Sequence, residues 1–301
     1  MRILLTGGTG LIGRALCRHW LAEGHTLWVL SRHPERVAHV CGNLVRGIGH
    51  LEALDDEPLD AVVNLAGAPI ADRPWTARRR RLLWDSRVTL TERLVRWLAS
   101  REQRPELLIS GSAVGYYGDT GEPLVDEQTP AGEDFAAKLC LGWEMAAQAA
   151  ETVGMRVVTV RTGLVLAREG GFLQRLLPVF RLGLGGRLGN GRQWMPWIHL
   201  DDQVALIDAL LHQPHASGAF NACAPEPVRN AAFTEALGRR LHRPTLLPLP
   251  APLLRVGLGE LSGLLLGGQH ALPARLQLAG FAFRHSHLAT ALDDLLGQAR
   301  R

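Results

Sequence analysis

Lysine is almost missing from this 301-residue chain: Lys138 is the only one, and the other basic residues are arginines. Tyrosine is nearly as scarce, with Tyr116 and Tyr117 side by side and none elsewhere. Chemistry that needs a phenol beside an ammonium therefore has one lysine and one tyrosine pair to draw on. Cysteine is sparse as well. Cys17, Cys41, Cys140 and Cys223 stand far apart and form no C-x-x-C pair or His/Cys cluster, so buried reduced thiols in a cytoplasmic protein are expected. Long apolar runs are lacking too. The stretch Leu253 to Leu266 is broken by Arg255, Glu260 and several glycines, too short and interrupted to span a bilayer. Met1-Arg2 precedes only three apolar residues, too few for a signal-peptide core.

Charge of one sign is not concentrated either. The net charge is +4 with a pI near 9.2. The one dense run, Arg78 to Arg81, reads as a solvated helix face, so no nucleic-acid partner is expected. What is present, 47% hydrophobic and 21% charged residues, is an ordinary globular composition with room for a sizeable core.

Short, near-continuously apolar runs at Arg2–Leu5, Thr26–Leu30, Ala61–Leu65, Leu107–Ser110 and Val157–Arg161 fit strands buried on both faces of a parallel sheet. Between them, Leu11–Glu23, about Thr76–Ser100 and about Phe135–Val153 carry helical spacing. The alternation predicts an α/β fold, a Rossmann-type doubly wound parallel sheet. Gly-rich loops, a helix start at Asp201-Asp202 and a Pro- and Leu-rich tail then predict a smaller C-terminal α/β lobe. Residues 1–240 read as the nucleotide domain, with parts of about 165–240 joining a substrate lobe, and 245–295 as a small C-terminal domain.

The segment Thr6-Gly7-Gly8-Thr9-Gly10-Leu11-Ile12-Gly13 follows a strand directly and opens a helix. In that context Gly7 permits the tight turn, Gly10 lets backbone approach a pyrophosphate, and Gly13 lets helix and strand pack closely. The diphosphate would rest on the free N–H groups at the helix N-terminus. A ligand-free strand–helix turn is the bland alternative. The second strand ends Val29-Leu30-Ser31-Arg32, with no acid for ribose hydroxyls. A guanidinium there suits a 2′-phosphate, which favours NADP over NAD; an ordinary exposed loop arginine is the competing reading.

These residues resemble the extended short-chain dehydrogenase/reductase superfamily. Asn64-Leu65-Ala66-Gly67 looks like its loop after the fourth strand, and Trp197-Ile198-His199-Leu200-Asp201-Asp202 like its later helix-entry motif. Residues 64–70, 110–118 and 178–186, with Gly267-Gly268-Gln269 and residues 280–283, are similar to a subgroup called epimerase-family proteins, which ends in a domain of unknown function. The resemblance implies further cofactor contacts at Leu65, Ala66 and Gly67, at Arg87 and at Val165. For Arg87 the alternative is a surface arginine.

The superfamily's usual chemistry places a tyrosine four residues before a lysine. Four residues before Lys138 stands Asp134, so that pair is absent. Ser112 matches the superfamily's serine and could orient a substrate oxygen. Tyr117, or Tyr116, could supply a phenol, and Lys138 could reach the nicotinamide ribose. The competing readings are a packed aromatic pair, an exposed helix lysine, and helix caps at Asp134 and His199. The Gly189-Asn190-Gly191 loop with Arg192, Gln193 and Trp194 could lie over a substrate. Two functions follow. One is an NADP-dependent oxidoreductase or epimerase-like enzyme for a small polar or sugar-like substrate. The other is a non-catalytic NADP(H)-binding sensor or interaction protein. The retained Ser112 and the cleft-forming lobe favour the enzyme, and the long helices could pair subunits in a homo-oligomer.

Overall fold

The computed structural model describes residues 1–297. Seven strands form one fully parallel sheet: β1 (Arg2–Thr6), β2 (Thr26–Leu30), β3 (Arg46–Ile48), β4 (Ala61–Asn64), β5 (Leu107–Ala113), β6 (Arg156–Thr162) and β7 (Gly218–Ala222). Their spatial order is β7-β6-β5-β4-β1-β2-β3. The winding reverses between β1 and β4, so a crevice opens there at the carboxyl ends of the strands.

Strand side chains alternate faces, and the sequence supplies apolar residues for both. Ile3, Leu5, Val29, Val63, Ile109 and Val158 pack beneath Leu16, Cys17 and Trp20 of the first helix and Leu206, Ile207 and Leu210 of a later one. Leu4, Trp28, Val62, Leu108 and Val157 face the other way, against Leu94, Val95, Leu98, Ala147 and Ala150. A separate core holds the later lobe together. Leu173, Leu177 and Phe180 there meet Trp197, Phe233, Leu237, Leu288, Leu292 and Leu295. The helix Leu288–Leu296 thus closes on the helices Gly171–Arg181 and Asn230–Leu241 rather than on the sheet.

Two sheet strands lie outside the five apolar runs. Arg46–Ile48 is three residues long with a central glycine, and Gly218–Ala222 reads Gly-Ala-Phe-Asn-Ala. Neither has the β-branched run that marks a strand locally; pairing to a neighbour holds each. The long helix expected over Thr76–Ser100 is broken into Ala77–Trp84, a π turn at Asp85–Thr89, and Leu90–Ser100. Among the described residues no helix is long and apolar enough to cross a membrane.

Candidate functional site

The turn after β1 is built by close backbone approach. Gly7 has φ +72°, and a Cβ there would stand 2.6 Å from the Leu65 carbonyl carbon. Glycine is therefore required both by conformation and by the loop after β4. A Cβ on Gly13 would fall within 2.6 Å of Gly8 Cα, which is why the first helix, Leu11–Ala22, can lie so close to the turn. Gly10 caps that helix with no side-chain hydrogen bond, leaving the first-turn N–H groups to the cleft.

A buried polar chain fixes the two loops. Thr6 Oγ1 donates to Asn64 Oδ1 at 2.7 Å, and Asn64 Nδ2 donates to Thr91 Oγ1 at 2.8 Å. The Ala66 N–H donates back to Thr6 Oγ1 at 3.1 Å. The π turn directs Ser86 and Arg87 at the same loop: Ala68 N–H donates to Ser86 Oγ at 3.0 Å, and Arg87 Nη2 donates to the Ala68 carbonyl at 2.9 Å. Such bulges often mark functional positions because they re-aim side chains within a helix.

The result is a cleft of about 970 Å³, lined by Thr6, Gly7, Thr9 and Gly10, by Ser31 and Arg32, and by Leu65, Ala66 and Gly67. Nine residues from three chain segments thus share one concavity. Arg36, Arg79 and Arg93 join Arg32 on its walls against the acids Glu52 and Asp85, so the cleft is net positive. Arg32 and Arg36 make no ion pair among the described residues, and their exposed guanidinium groups are free to meet an anion. Ser31 Oγ accepts from the His33 N–H at 3.1 Å, which aims its hydroxyl. Arg87 is half-buried with no carboxylate partner among the described residues, and burial lowers its pKa from the ordinary value. Its guanidinium stands 2.8 Å from where a Cβ on Gly67 would be. Leu11 and Ile12 sit at the entrance to the first helix. Leu11 contacts the Gly170-Gly171 turn, beside the Val165 carbonyl, while Ile12, Leu65 and Val165 pack on the edge of the sheet core.

This cleft fits a phosphorylated dinucleotide on its own chemistry. It has an uncapped helix N-terminus, a half-buried cation lacking a counter-charge, and unpaired arginines beyond β2. Arg32, Ser31 and Arg36 would hold a 2′-phosphate. The Gly10–Gly13 turn would hold the diphosphate, and the Leu65–Gly67 backbone with Arg87 the adjoining ribose.

The expected catalytic residues are arranged differently. Ser112 is buried, and its Oγ donates to Glu144 Oε1 at 2.6 Å. Glu144 in turn accepts two hydrogen bonds from Arg161, at 2.8 Å from Nε and 2.9 Å from Nη2. Arg161 Nη1 donates to the Tyr117 hydroxyl at 3.0 Å, and that hydroxyl donates to Asn221 Oδ1 at 2.7 Å. Ser112 and Tyr117 therefore meet, but through a closed internal network. Burial pushes the Tyr117 phenol well above its usual value, despite the opposing Arg161. Burial disfavours the Arg161 cation, yet its bonds to Glu144 raise its pKa overall. Arg161 also lies 3.5 Å over the Tyr116 ring.

Lys138 does not join this group. Its side chain is exposed and makes no hydrogen bond or ion pair among the described residues. The positions of the helix Phe135–Gln148 that meet Ser112 are Glu144 and Cys140, the latter buried against Ser112 and Ala113, while Ala136 is buried beside Gly115. Asp134 is the N-cap of that helix, accepting from the Ala137 N–H at 2.8 Å, and His199 Nδ1 accepts from the Asp201 N–H at 3.1 Å. Gln193 is spent bridging the Leu188 and Leu265 carbonyls. The arginine run is not simply a solvated face. Arg79 turns in to Asp72 and the Pro69 carbonyl, and Arg80 pairs with Glu260 of the tail.

Glu144, Arg161 and Asn221 were missed in the sequence. The usable signal was Arg161 itself, a charge inside an apolar buried strand, which demands a partner.

Comparison with known proteins agrees with this architecture. The NAD dependent epimerase/dehydratase family matches residues 3–223, and a domain of unknown function matches residues 249–295. Epimerase family protein Mb2239 of Mycobacterium bovis is 44% identical over 293 residues, covering 96% of each chain. A chloroplastic epimerase family protein of Arabidopsis thaliana is 38% identical over 98% of this chain and 87% of its own length. The crystal structure of human epimerase family protein SDR39U1, isoform 2, with NADPH superposes with a TM-score of 0.87. It is 32% identical and covers 99% of this chain and 100% of that one. The chain, a seven-stranded Rossmann sheet with a smaller C-terminal part, belongs to the NAD dependent epimerase/dehydratase family.

Proposed function

We propose that this protein binds NADP(H) in the cleft between β1 and β4 and acts as an oxidoreductase or epimerase-like enzyme on a small polar or sugar-like substrate. The observation that carries the reading is the pairing of an uncapped, glycine-built helix N-terminus with unpaired Arg32 beyond an acid-free β2. The NADPH in the human relative supports it. Bound there, the cofactor supplies hydride chemistry. The chain's own residues anchor phosphates at Arg32 and the Gly-rich turn, and the Ser112 hydroxyl is oriented by donating to Glu144 Oε1. Fluorescence titration with NADPH and NADH tests the cofactor assignment. Arg32→Ala should weaken NADPH about 10- to 100-fold, the worth of one charged hydrogen-bonding partner, and barely alter NADH. Equal losses for both would refute it.

A second reading, a non-catalytic NADP(H) sensor, is favoured by one feature: the Ser112 and Tyr117 hydroxyls are both engaged inside the buried network. A panel of carbonyl substrates with NADPH separates the two. Turnover lost in Ser112→Ala supports the enzyme; stoichiometric NADPH binding with no turnover across the panel supports the sensor.

A further inference from the structure

Away from the cleft, the C-terminal end of the first helix meets the helix Leu200–His212. Each contributes an i,i+4 pair of donor side chains: His19 and Glu23 from the first, Asp208 and His212 from the second. Such pairs stand on one helix face, one turn apart, so two adjoining helices can direct several donors at one point.

Three of these donors converge. His19 Nε2, a Glu23 carboxylate oxygen and an Asp208 carboxylate oxygen all lie within 4.8 Å of one another. His19 Nε2 is 3.3 Å from Glu23 Oε1 and 3.7 Å from Asp208 Oδ2, and makes no hydrogen bond to either. Both separations exceed the usual N–H···O range of about 2.7–3.2 Å. They are close to the roughly 3.4 Å that separates neighbouring tetrahedral ligands when each is bound about 2.1 Å from zinc. Asp208 is held for this role: its Oδ1 accepts the Trp20 indole N–H at 2.8 Å, which leaves Oδ2 turned toward His19.

A fourth side chain flanks Glu23 from its other side. His25 is about nine-tenths buried, its Nδ1 is engaged by the chain's amino terminus at 2.8 Å, and its Nε2 is buried without a hydrogen-bond partner. That nitrogen lies 3.4 Å from Glu23 Oε2, the oxygen remote from His19. Glu23 thus has an imidazole against each oxygen. His212 is not one of the converging donors, and its Nδ1 is bonded to the Asp208 carbonyl at 3.0 Å.

We propose that His19, Glu23 and Asp208 form a binding site for a divalent transition-metal ion, best suited to Zn²⁺, that clamps the first helix to the helix Leu200–His212. One imidazole and two carboxylates make a donor set of borderline hardness, unlike the all-oxygen shell that Mg²⁺ and Ca²⁺ prefer. Water would complete the ion's fourth coordination position. Its role is structural: the clamped helix is the one whose other end opens onto the Gly-rich turn.

Isothermal titration and native mass spectrometry of the purified, chelator-treated protein with ZnCl₂ test the site. The expected result is one Zn²⁺ per chain and a higher Tm on Zn²⁺ addition, with neither effect from MgCl₂ or CaCl₂. His19→Ala and Asp208→Asn should each weaken binding at least tenfold and remove the Tm rise. The asparagine keeps an oxygen for Trp20, so folding is preserved. His33→Ala and His50→Ala are controls, because each histidine sits 3.4–3.5 Å from a glutamate with no third donor; both should bind as wild type. Absence of stoichiometric Zn²⁺ binding, or binding unchanged by His19→Ala and Asp208→Asn, overturns the proposal.

Discussion

Replacing Glu144 with leucine probes the network behind the cleft. Glu144 and Arg161 are 3% and 4% exposed, so the pair is almost fully out of water. Removing one member of such a pair typically costs about 3–5 kcal/mol, because the other charge stays buried without a counter-charge. Arg161 would keep the Tyr117 hydroxyl at 3.0 Å, the Glu127 carbonyl at 3.3 Å and the Tyr116 ring. These contacts solvate part of the cation and place the loss at the low end, about 3 kcal/mol. The double variant Glu144→Leu/Arg161→Met removes both charges and leaves only neutral groups short of a partner, the Ser112 hydroxyl without its acceptor and the Tyr117 hydroxyl and Glu127 carbonyl without the Arg161 donor, at about 1 kcal/mol each or less. Urea unfolding followed by circular dichroism measures Glu144→Leu, Arg161→Met and the double variant. The double variant should be more stable than Glu144→Leu alone, and added salt should change the difference little, since buried pairs are weakly screened. A Glu144→Leu loss below about 1 kcal/mol, or a double variant as unstable as the two single losses summed, would refute the reasoning.

Gly13→Ala drives a methyl into the Gly7-Gly8 backbone; the expected outcome is a lowered Tm together with loss of NADPH binding, read by thermal melts and fluorescence titration. Tyr117→Phe leaves Asn221 Oδ1 and one Arg161 N–H short of a partner, so urea unfolding should show a loss of about 1–3 kcal/mol. The same phenol sets an alkaline limit. Its folded pKa lies above the ordinary value of about 10, so above that pH the unfolded chain loses a proton that the folded chain keeps. Its contribution is fully present below about pH 10 and falls as pH rises beyond it. A stability profile identical for wild type and Tyr117→Phe across that alkaline range would count against this.

What could be read in the sequence was local. The β1–turn–helix unit declares itself within thirteen residues, since strand, glycine spacing and helix face are all set by near neighbours. The acid-free end of β2 is likewise read at Ser31 and Arg32. Arg46–Ile48 and Gly218–Ala222 become strands through pairing with β2 and β6, which no local run reveals. The π turn that aims Arg87 at the Gly67-Ala68 loop is also tertiary in origin, tied by Ser86 and Arg87 to a segment 18–19 residues earlier. The Ser112–Glu144–Arg161–Tyr117–Asn221 chain joins β5, a helix, β6, a 3₁₀ turn and β7. Its members are ordinary polar residues until the fold brings them together.

The lone lysine shows why the acid–base residues have to be argued from geometry. Lys138 is on the same helix as the residues that face Ser112, but its side chain is solvent-exposed, while Ala136 and Cys140, four residues apart, are buried. The residues of this helix that meet Ser112 are Cys140 and Glu144, a thiol and a carboxylate rather than a phenol and an ammonium. Burial, with the nearby Glu144 charge adding to it, pushes the Cys140 thiol up to about 12, so it stays neutral near pH 7. Lys138 is thus not a displaced member of a tyrosine–lysine pair. It lies outside the group around Ser112, whose hydroxyl donates a hydrogen bond to the Glu144 carboxylate.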